Sequence, residues 1–194
     1  MKTISENYIE LNRLLHSERA DYGTSGSMWA SKIAERFHAY QCQSALDYGA
    51  GKQTLKKSLP NLPIRCYDPC VEEISASPQP AHLVSCTDVL EHIEPDYIDS
   101  VLDHIAQLTE RVAFLVIATR PAVKVLPDGR NAHLIQEPAS WWLDKLFKRF
   151  RLMEFVNNDD QEFFVTVESL TFNRHSLPPP PAPPPPPKTS IRFY

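Results

Sequence analysis

The fold is decided by one stretch of the chain, Ser-Ala-Leu-Asp-Tyr-Gly-Ala-Gly-Lys at residues 44–52. It predicts a short buried strand over 44–48 that breaks into a Gly-x-Gly turn and then a helix. Asp68 follows at the end of a second predicted strand, over 64–68. Open α/β sheets hold a nucleoside-bearing cofactor in this way, because glycine lets the backbone approach the ligand and the acid accepts hydrogen bonds from ribose hydroxyls.

Hydrophobic periodicity predicts the other elements of the chain. The predicted helices cover about residues 4–18, 28–40, 93–108 and 138–150, with a short helix through Leu55 and Leu59. The predicted strands cover residues 83–87 and 111–119 and a hairpin over 151–156 and 162–170. Residues 69–82 contain Pro69, Pro78 and Pro80 and predict no regular element. This order favours an α/β domain with a mostly parallel sheet, a C-terminal antiparallel hairpin and helices on both faces.

Three parts are predicted along the chain. Residues 1–27 form an N-terminal helix and a lid loop, and residues 28–175 form the main domain. Residues 176–194 are predicted to be a disordered proline-rich tail, because 178–187 consist of nine prolines and one alanine. The tail fits a spacer better than a ligand for a proline-binding module.

Composition excludes several classes of function. The net charge of −4 over 194 residues gives no overall attraction to nucleic acid or to anionic membranes. No apolar run approaches the roughly 18 residues that a membrane span needs. The first ten residues lack the apolar core of a secretory signal, so we expect a cytoplasmic protein with four reduced cysteines. Cys66 and Cys70 have no second pair at zinc-ligand spacing, and no metal site is expected from them.

Three motifs, in order, resemble the class I S-adenosylmethionine-dependent methyltransferases, of the small-molecule type often compared with ubiquinone-biosynthesis enzymes. Residues 46–51 (LDYGAG) resemble the first motif of the family, and Asp68 stands where the family places its ribose-binding acid. Residues 88–93 (DVLEHI) resemble the stretch that closes the cofactor pocket. The resemblance covers about residues 30–170 and implies a Rossmann-like sheet that binds S-adenosyl-L-methionine.

Two departures from that family concern the cofactor. The third glycine of the first motif is replaced by Gln53 or Thr54. Only 14 residues, 69–82, separate Asp68 from the next predicted strand, where the family fits a helix and a further strand that ends in an adenine contact. We therefore expect a sheet that is one strand short, and the sequence identifies no residue that would contact the adenine ring.

The residues around the turn favour S-adenosylmethionine over a dinucleotide. Asp47 precedes the turn, where its charge would repel a pyrophosphate but attract the ammonium group of an amino-acid end. A relative that has lost its cofactor stays possible. The resemblance implies the following cofactor-binding residues: Asp47, Gly49, Ala50, Gly51, Asp68, Thr87 and Asp88.

Catalytic residues are harder to predict, because methyl transfer from a sulfonium needs a base only when the acceptor carries a proton. His92 is predicted to support the pocket or to act as a base, whereas Asp88 and Glu91 could simply form a capping box. In the long loop after the central strand, Arg130 and His133 are candidates for acceptor binding, and His133 also for catalysis.

Two aromatic residues complete the predicted acceptor site. Trp141 or Trp142 is a candidate pocket wall, with core packing of the predicted helix 138–150 as the alternative for each, and at least one of them must pack in the core. Tyr22 in the loop before the second helix is a candidate lid. The prediction is methyl transfer to a small molecule. The alternatives are a non-catalytic interaction module or a nucleic-acid methyltransferase, which the basic cluster around Lys145 and Arg149 would serve. The Asp/Asn-Pro-Pro-Tyr/Phe motif of amino-methylating DNA enzymes is absent.

Overall fold

The structure is a computed structural model that describes residues 2–18 and 22–178. Most of the predicted proline-rich tail, residues 179–194, lies outside the described residues, so its predicted disorder stays a prediction. The helices are α1 (Glu6–Glu18), α2 (Ala30–Ala39), α3 (Thr54–Ser58), α4 (Ile98–Leu108) and α5 (Ala139–Leu146). The strands are β1 (Ala45–Tyr48), β2 (Ile64–Tyr67), β3 (Ala81–Thr87), β4 (Thr109–Ala118), β5 (Phe150–Asn158) and β6 (Glu162–Ser169).

The six strands form one sheet in the order β2-β1-β3-β4-β6-β5. β1 to β4 are parallel to one another, whereas β6 runs antiparallel to both β4 and β5. The predicted Rossmann-like sheet with a C-terminal antiparallel hairpin is confirmed. Within the described residues, the segment between β2 and β3 holds only a short 3-10 helix, Glu72–Ile74, so the sheet lacks the strand that the family places there.

The central strand β4 explains why helices cover both faces. Successive side chains of a strand point to opposite faces, and all of those from Val112 to Ala118 are buried. Phe114 packs with residues of α2 and α3, such as Ile33 and Leu55. Leu115 packs with residues of α4 and α5, such as Ile105.

Two predicted helix boundaries are wrong. α4 begins at Ile98 rather than near Ile93, because Pro95 disfavours helical geometry at the residue before it and two 3-10 helices precede α4 instead. α5 ends at Leu146 rather than at residue 150, since Phe150 already pairs with Ser169 in the hairpin. Among the described residues, no helix is long and apolar enough to cross a membrane.

The helix α1 packs against the sheet domain. The backbone N–H and the hydroxyl of Ser5 both donate to the carboxylate of Glu94, at 2.9 and 2.8 Å. The hydroxyl of Tyr8 donates to the carbonyl of His92. These bonds hold α1 over the turns that follow β3, so the helix contributes to the site described below.

Trp142→Ala is expected to lower the free energy of unfolding by about 3–5 kcal/mol. The indole of Trp142 lies on the buried face of α5 and is fully buried, so its loss leaves a cavity. The neighbouring Trp141→Ala should cost clearly less, since Trp141 is only partly buried and lies under Lys145. Urea unfolding of both variants measures the difference. Equal losses would show that the packing of α5 differs from the one described.

Candidate functional site

A cavity of about 560 Å³ opens at the carboxyl ends of the parallel strands. Its wall includes residues from the segment after each of the strands β1 to β4, among them Gly49, Asp68, Asp88 and Arg120. Ligands bind at this edge in open α/β sheets, and the volume lies in the range of roughly 300–1,000 Å³ that small-molecule sites occupy.

The two glycines of the turn are required by the chain's own packing. Gly49 has a φ of +77°, and a Cβ there would lie 2.4 Å from Cγ2 of Val89. Gly51 has a φ of +46°, and a Cβ there would lie 2.8 Å from both the Cα and the carbonyl oxygen of Gly23. The N–H of Lys52 also donates to the carbonyl of Gly23, at 3.0 Å. The glycine turn therefore holds the loop that follows α1.

Asp68 joins the end of β2 to the glycine turn. Its Oδ2 accepts a hydrogen bond from the N–H of Gly51 at 3.0 Å, and its Oδ1 accepts one from the N–H of Cys70 at 2.9 Å. An ionised carboxylate has about four acceptor positions, so two remain. Because Asp68 lines the cavity, these positions are available to the hydroxyls of a ligand.

Three of the residues predicted to bind a cofactor do not line the cavity: Asp47, Ala50 and Thr87. Asp47 is 3% exposed and accepts a hydrogen bond from the hydroxyl of Ser85 at 3.1 Å. Burial raises the pKa of Asp47 to about 7; the Ser85 hydroxyl opposes this increase and the charge of Asp68 adds to it. Gly49, Gly51, Asp68 and Asp88 do line the cavity. Asp88 has a φ of +53°, and burial raises the pKa of its carboxyl as well.

Asp47→Asn is expected to reduce the loss of stability as the pH rises from about 4 to about 7. Folded Asp47 keeps its proton in this range while the unfolded chain has lost it, so the folded state binds more protons and wild-type stability falls with rising pH. The full loss from this group is roughly 4 kcal/mol and is complete above pH 7. Urea unfolding at about pH 5 and about pH 8 tests the expectation. An equal pH dependence in both proteins would contradict it.

Two histidines and one glutamate lie together beside Asp88. The carbonyl of Ala132 lies 2.8 Å from Nδ1 of His92, and the carbonyl of Arg120 lies 2.7 Å from Nδ1 of His133. Burial lowers the pKa of His92 to about 3 and also lowers that of His133. Both imidazoles are therefore neutral, and their rings meet edge to face with centroids 4.7 Å apart.

Glu91 has a role that the predicted capping box does not describe. Its side chain is completely buried, and Oε1 accepts a hydrogen bond from the N–H of Ala118 at the end of β4. Val89 precedes the 3-10 helix Leu90–His92 and makes no side-chain cap, so the capping-box alternative for Asp88 and Glu91 is wrong. Burial raises the pKa of Glu91, and the nearby charge of Asp88 adds to this increase.

The opposite wall of the cavity comes from α1 and the residues after it, which the sequence did not single out apart from Tyr22. The hydroxyl of Tyr22 donates to Oδ1 of Asn12, and its ring packs edge-on against His16 at 4.8 Å and His92 at 5.9 Å between centroids. Tyr22 is 8% exposed and lines the cavity with Tyr8 and Asn12. An amphipathic first helix was visible in the sequence, but no motif indicated which face it would cover.

Arg130 and Trp141 are not brought to the cavity. Arg130 lies on an exposed turn, where its guanidinium pairs with Asp128 at 2.7 Å. Trp141 packs against Trp142 and lies beneath the ammonium group of Lys145. Of the predicted acceptor-binding residues, only His133 and Tyr22 line the cavity.

Comparisons with known proteins identify the fold. The chain is similar to a 1,6-didemethyltoxoflavin-N1-methyltransferase from Burkholderia thailandensis with bound S-adenosylhomocysteine, at 14% identity and a TM-score of 0.55 over 87% of this chain and 92% of that one. It is similar to the N-methyltransferase NodS from Bradyrhizobium japonicum, also with S-adenosylhomocysteine, at 12% identity and a TM-score of 0.52 over 86% of this chain and 100% of that one.

A third similar structure is an O-methyltransferase family protein from Burkholderia thailandensis, at 10% identity and a TM-score of 0.50 over 79% of this chain. The match spans only 61% of the length of that protein. No protein-family model matches the chain, and no curated protein matches it by sequence. At these identities the likeness establishes the fold: this chain has the class I methyltransferase fold.

Proposed function

We propose that this chain is an S-adenosylmethionine-dependent methyltransferase that acts on a small-molecule acceptor. One observation carries the proposal: Asp68 and the Gly49–Gly51 turn stand side by side on the wall of the cavity. The free acceptor positions of the Asp68 carboxylate suit the hydroxyls of a ribose. The glycine turn lets the backbone come close to the part of the cofactor that continues from the ribose.

The charges of the wall suit a cationic cofactor. Among the described residues, the acidic side chains of Asp68, Asp88 and Glu162 line the cavity and outnumber its two basic side chains, Arg120 and Lys124. S-adenosylmethionine carries a sulfonium and an ammonium group, which such a wall attracts. The histidines near them are neutral, because burial lowers the pKa of His16, His92 and His133. The wall therefore favours a positively charged ligand over a pyrophosphate.

Apolar residues replace the missing adenine wall in this proposal. Pro69 and Cys70 follow Asp68 and line the cavity, as do Ile4 before α1 and Ile93 and Val101 near the start of α4. They form an apolar surface next to the ribose-binding acid. In this proposal Pro69 and Cys70, with Ile4 from the N-terminal segment, make the adenine contact that the family obtains from the strand that this sheet lacks.

The protein's part in the reaction would be to position the acceptor and to exclude water. S-adenosylmethionine supplies both the methyl group and its leaving group. α1 and Tyr22 close one side of the cavity, so that the nucleophile meets the methyl carbon in a shielded space. His92 and His133 line the part of the wall where an acceptor would lie, and burial keeps both imidazoles neutral, so they would orient the acceptor rather than take up its proton.

The nucleic-acid alternative has less support, because the basic cluster is used within the fold. Lys145 donates to Asp99 at 2.8 Å, and Arg149 pairs with both Asp99 and Asp103. These ion pairs join α5 to α4 and offset the positive charge. We further propose a cytoplasmic protein, which agrees with the free thiols of all four cysteines.

Isothermal titration of the full-length protein with S-adenosylhomocysteine tests the proposal. We expect one molecule bound per chain with a dissociation constant in the micromolar range, roughly 1–100 μM. No detectable heat at millimolar ligand, with the protein folded by circular dichroism, would favour the alternative of a non-catalytic interaction module.

A further inference from the structure

Beside the proposed cofactor cavity, the side chains of Glu91, His92 and His133 lie close together but make no hydrogen bonds to one another. One ligating atom of each lies within 4.8 Å of the ligating atoms of the other two. His92 and His133 line the cavity, whereas Glu91 is fully buried and is not part of the cavity wall.

The hydrogen bonds of the two histidines leave one nitrogen of each ring available. A carbonyl oxygen can only accept a hydrogen bond, so the contacts from Ala132 and Arg120 place the proton of each ring on Nδ1. Nε2 of His92 and Nε2 of His133 then carry lone pairs. Metal-binding histidines commonly donate their other ring N–H to a backbone carbonyl in this way, which fixes the tautomer and the orientation of the ring.

One carboxylate oxygen of Glu91 is buried without a hydrogen-bond partner in the part of the chain that the structure describes. Oε1 of Glu91 is satisfied by the N–H of Ala118, but Oε2 is buried and has no hydrogen-bond partner among the described residues. A protonated carboxyl that donated to either histidine would be satisfied, and no such bond is formed. A carboxylate that has one buried oxygen without a partner, and one oxygen within 4.8 Å of a ring nitrogen of each histidine, is an arrangement that a bound cation completes.

The surrounding chain is built to hold this cluster together. The side-chain oxygen of Asn131 accepts hydrogen bonds from the N–H groups of Ala122 and His133, which folds the long loop back on itself. The N–H of Ile135 donates to the carbonyl of Glu91 at 3.0 Å. These bonds bring a histidine 41 positions away in sequence against the Glu91–His92 pair.

The ligand types also suit a divalent cation. Imidazole nitrogens with one carboxylate oxygen are ligands that zinc and similar divalent transition metals prefer.

We propose that Glu91, His92 and His133 bind one divalent transition-metal ion, such as Zn²⁺, whose open coordination position faces the cavity. Three protein ligands and one open position are typical of catalytic rather than structural metal sites. If the proposed methyltransferase function holds, the open position fits an acceptor with a hydroxyl group, because a divalent cation lowers the pKa of a hydroxyl bound to it.

The test is a titration of the metal-stripped, full-length protein with Zn²⁺ in competition with a chromophoric chelator. We expect one ion per chain, and an affinity at least about 100-fold weaker in Glu91→Gln and in His133→Gln. His38→Gln, at an exposed histidine of α2, is the matched control and should bind as the wild type does. Circular dichroism and thermal melts verify that each variant is folded.

Substitution with Co²⁺ identifies the ligands, since the four cysteines could also hold zinc. We expect the visible bands of a nitrogen- and oxygen-bound cobalt centre, lost in His133→Gln, and no thiolate charge-transfer absorption. No zinc bound by the folded wild type, affinity within about threefold in both ligand variants, or thiolate bands would each overturn the proposal. S-adenosylhomocysteine binding, measured on the same metal-free protein, separates failure of this site from failure of the proposed function.

Discussion

Gly51→Ala is expected to abolish the binding of S-adenosylhomocysteine and to lower the free energy of unfolding by at least about 2 kcal/mol. The added Cβ would lie 2.8 Å from the Cα and the carbonyl oxygen of Gly23, which are backbone atoms and cannot rotate away. The loop after α1 must then move, and the hydrogen bond from Lys52 to Gly23 is lost with it. Because Gly51 also donates to Asp68, the shift disturbs the proposed ribose site.

Gly129→Ala is the matched control for this prediction. Gly129 also has a positive φ, +88°, but a Cβ there meets nothing within 4 Å. It therefore carries the backbone strain alone, about 1 kcal/mol, and lies outside the cavity wall. Calorimetry and urea unfolding of both variants separate the effect of backbone strain at a positive φ from the effect of the steric clash between residue 51 and Gly23. Equal behaviour of the two variants would show that the contact between Gly51 and Gly23 is not tight.

Asp68→Ala is expected to weaken the binding of S-adenosylhomocysteine by at least about 100-fold. The change removes the proposed acceptor of the ribose hydroxyls. It also leaves the N–H groups of Gly51 and Cys70 without their partners, so the glycine turn loses its link to β2. The free protein should be less stable as well, by roughly 2–4 kcal/mol.

The control for Asp68→Ala is Asp128→Ala. Asp128 is an acid in an exposed turn that pairs with Arg130 and takes no part in the cavity wall. Its removal should leave the affinity for S-adenosylhomocysteine unchanged within about twofold. If Asp68→Ala keeps wild-type affinity while its own folding is intact, the ribose does not bind at this acid.

The sheet could be predicted from the sequence because each strand is followed by a recognisable turn. The run from Arg111 to Thr119 has the length and apolar composition of a buried central strand, and the structure places β4 inside the sheet, between β3 and β6. The shortage of one strand followed from the 14 residues after Asp68, which are too few for a helix and a strand. The start of α4 was missed because apolar spacing continued through Pro95.

The site was only partly predictable. Glycines, Asp68 and Asp88 belong to local motifs, and they reach the cavity because the carboxyl ends of parallel strands meet at one edge. Arg130 and Trp141 were chosen for their position after the central strand, but the direction in which a loop residue points depends on its own bonds. Arg130 turns towards Asp128 for this reason.

The convergence of Glu91 with His133 could not be derived from spacing. Forty-one residues lie between Glu91 and His133 in the sequence, and no helix or strand sets the path of the loop between β4 and α5. The hydrogen bonds of Asn131 and Ile135 determine that path, and they became visible only in the folded chain. The expectation of no metal site was drawn from the cysteines alone.

The measurement that tests the central claim most directly is a crystal structure of the protein with S-adenosylhomocysteine. We predict that the ligand occupies the cavity, with the ribose hydroxyls at the carboxylate of Asp68 and the homocysteine end beside Gly49–Gly51. Adenine should lie against Pro69 and Cys70. An empty cavity at saturating ligand, or a ligand bound elsewhere on the protein, would contradict the account.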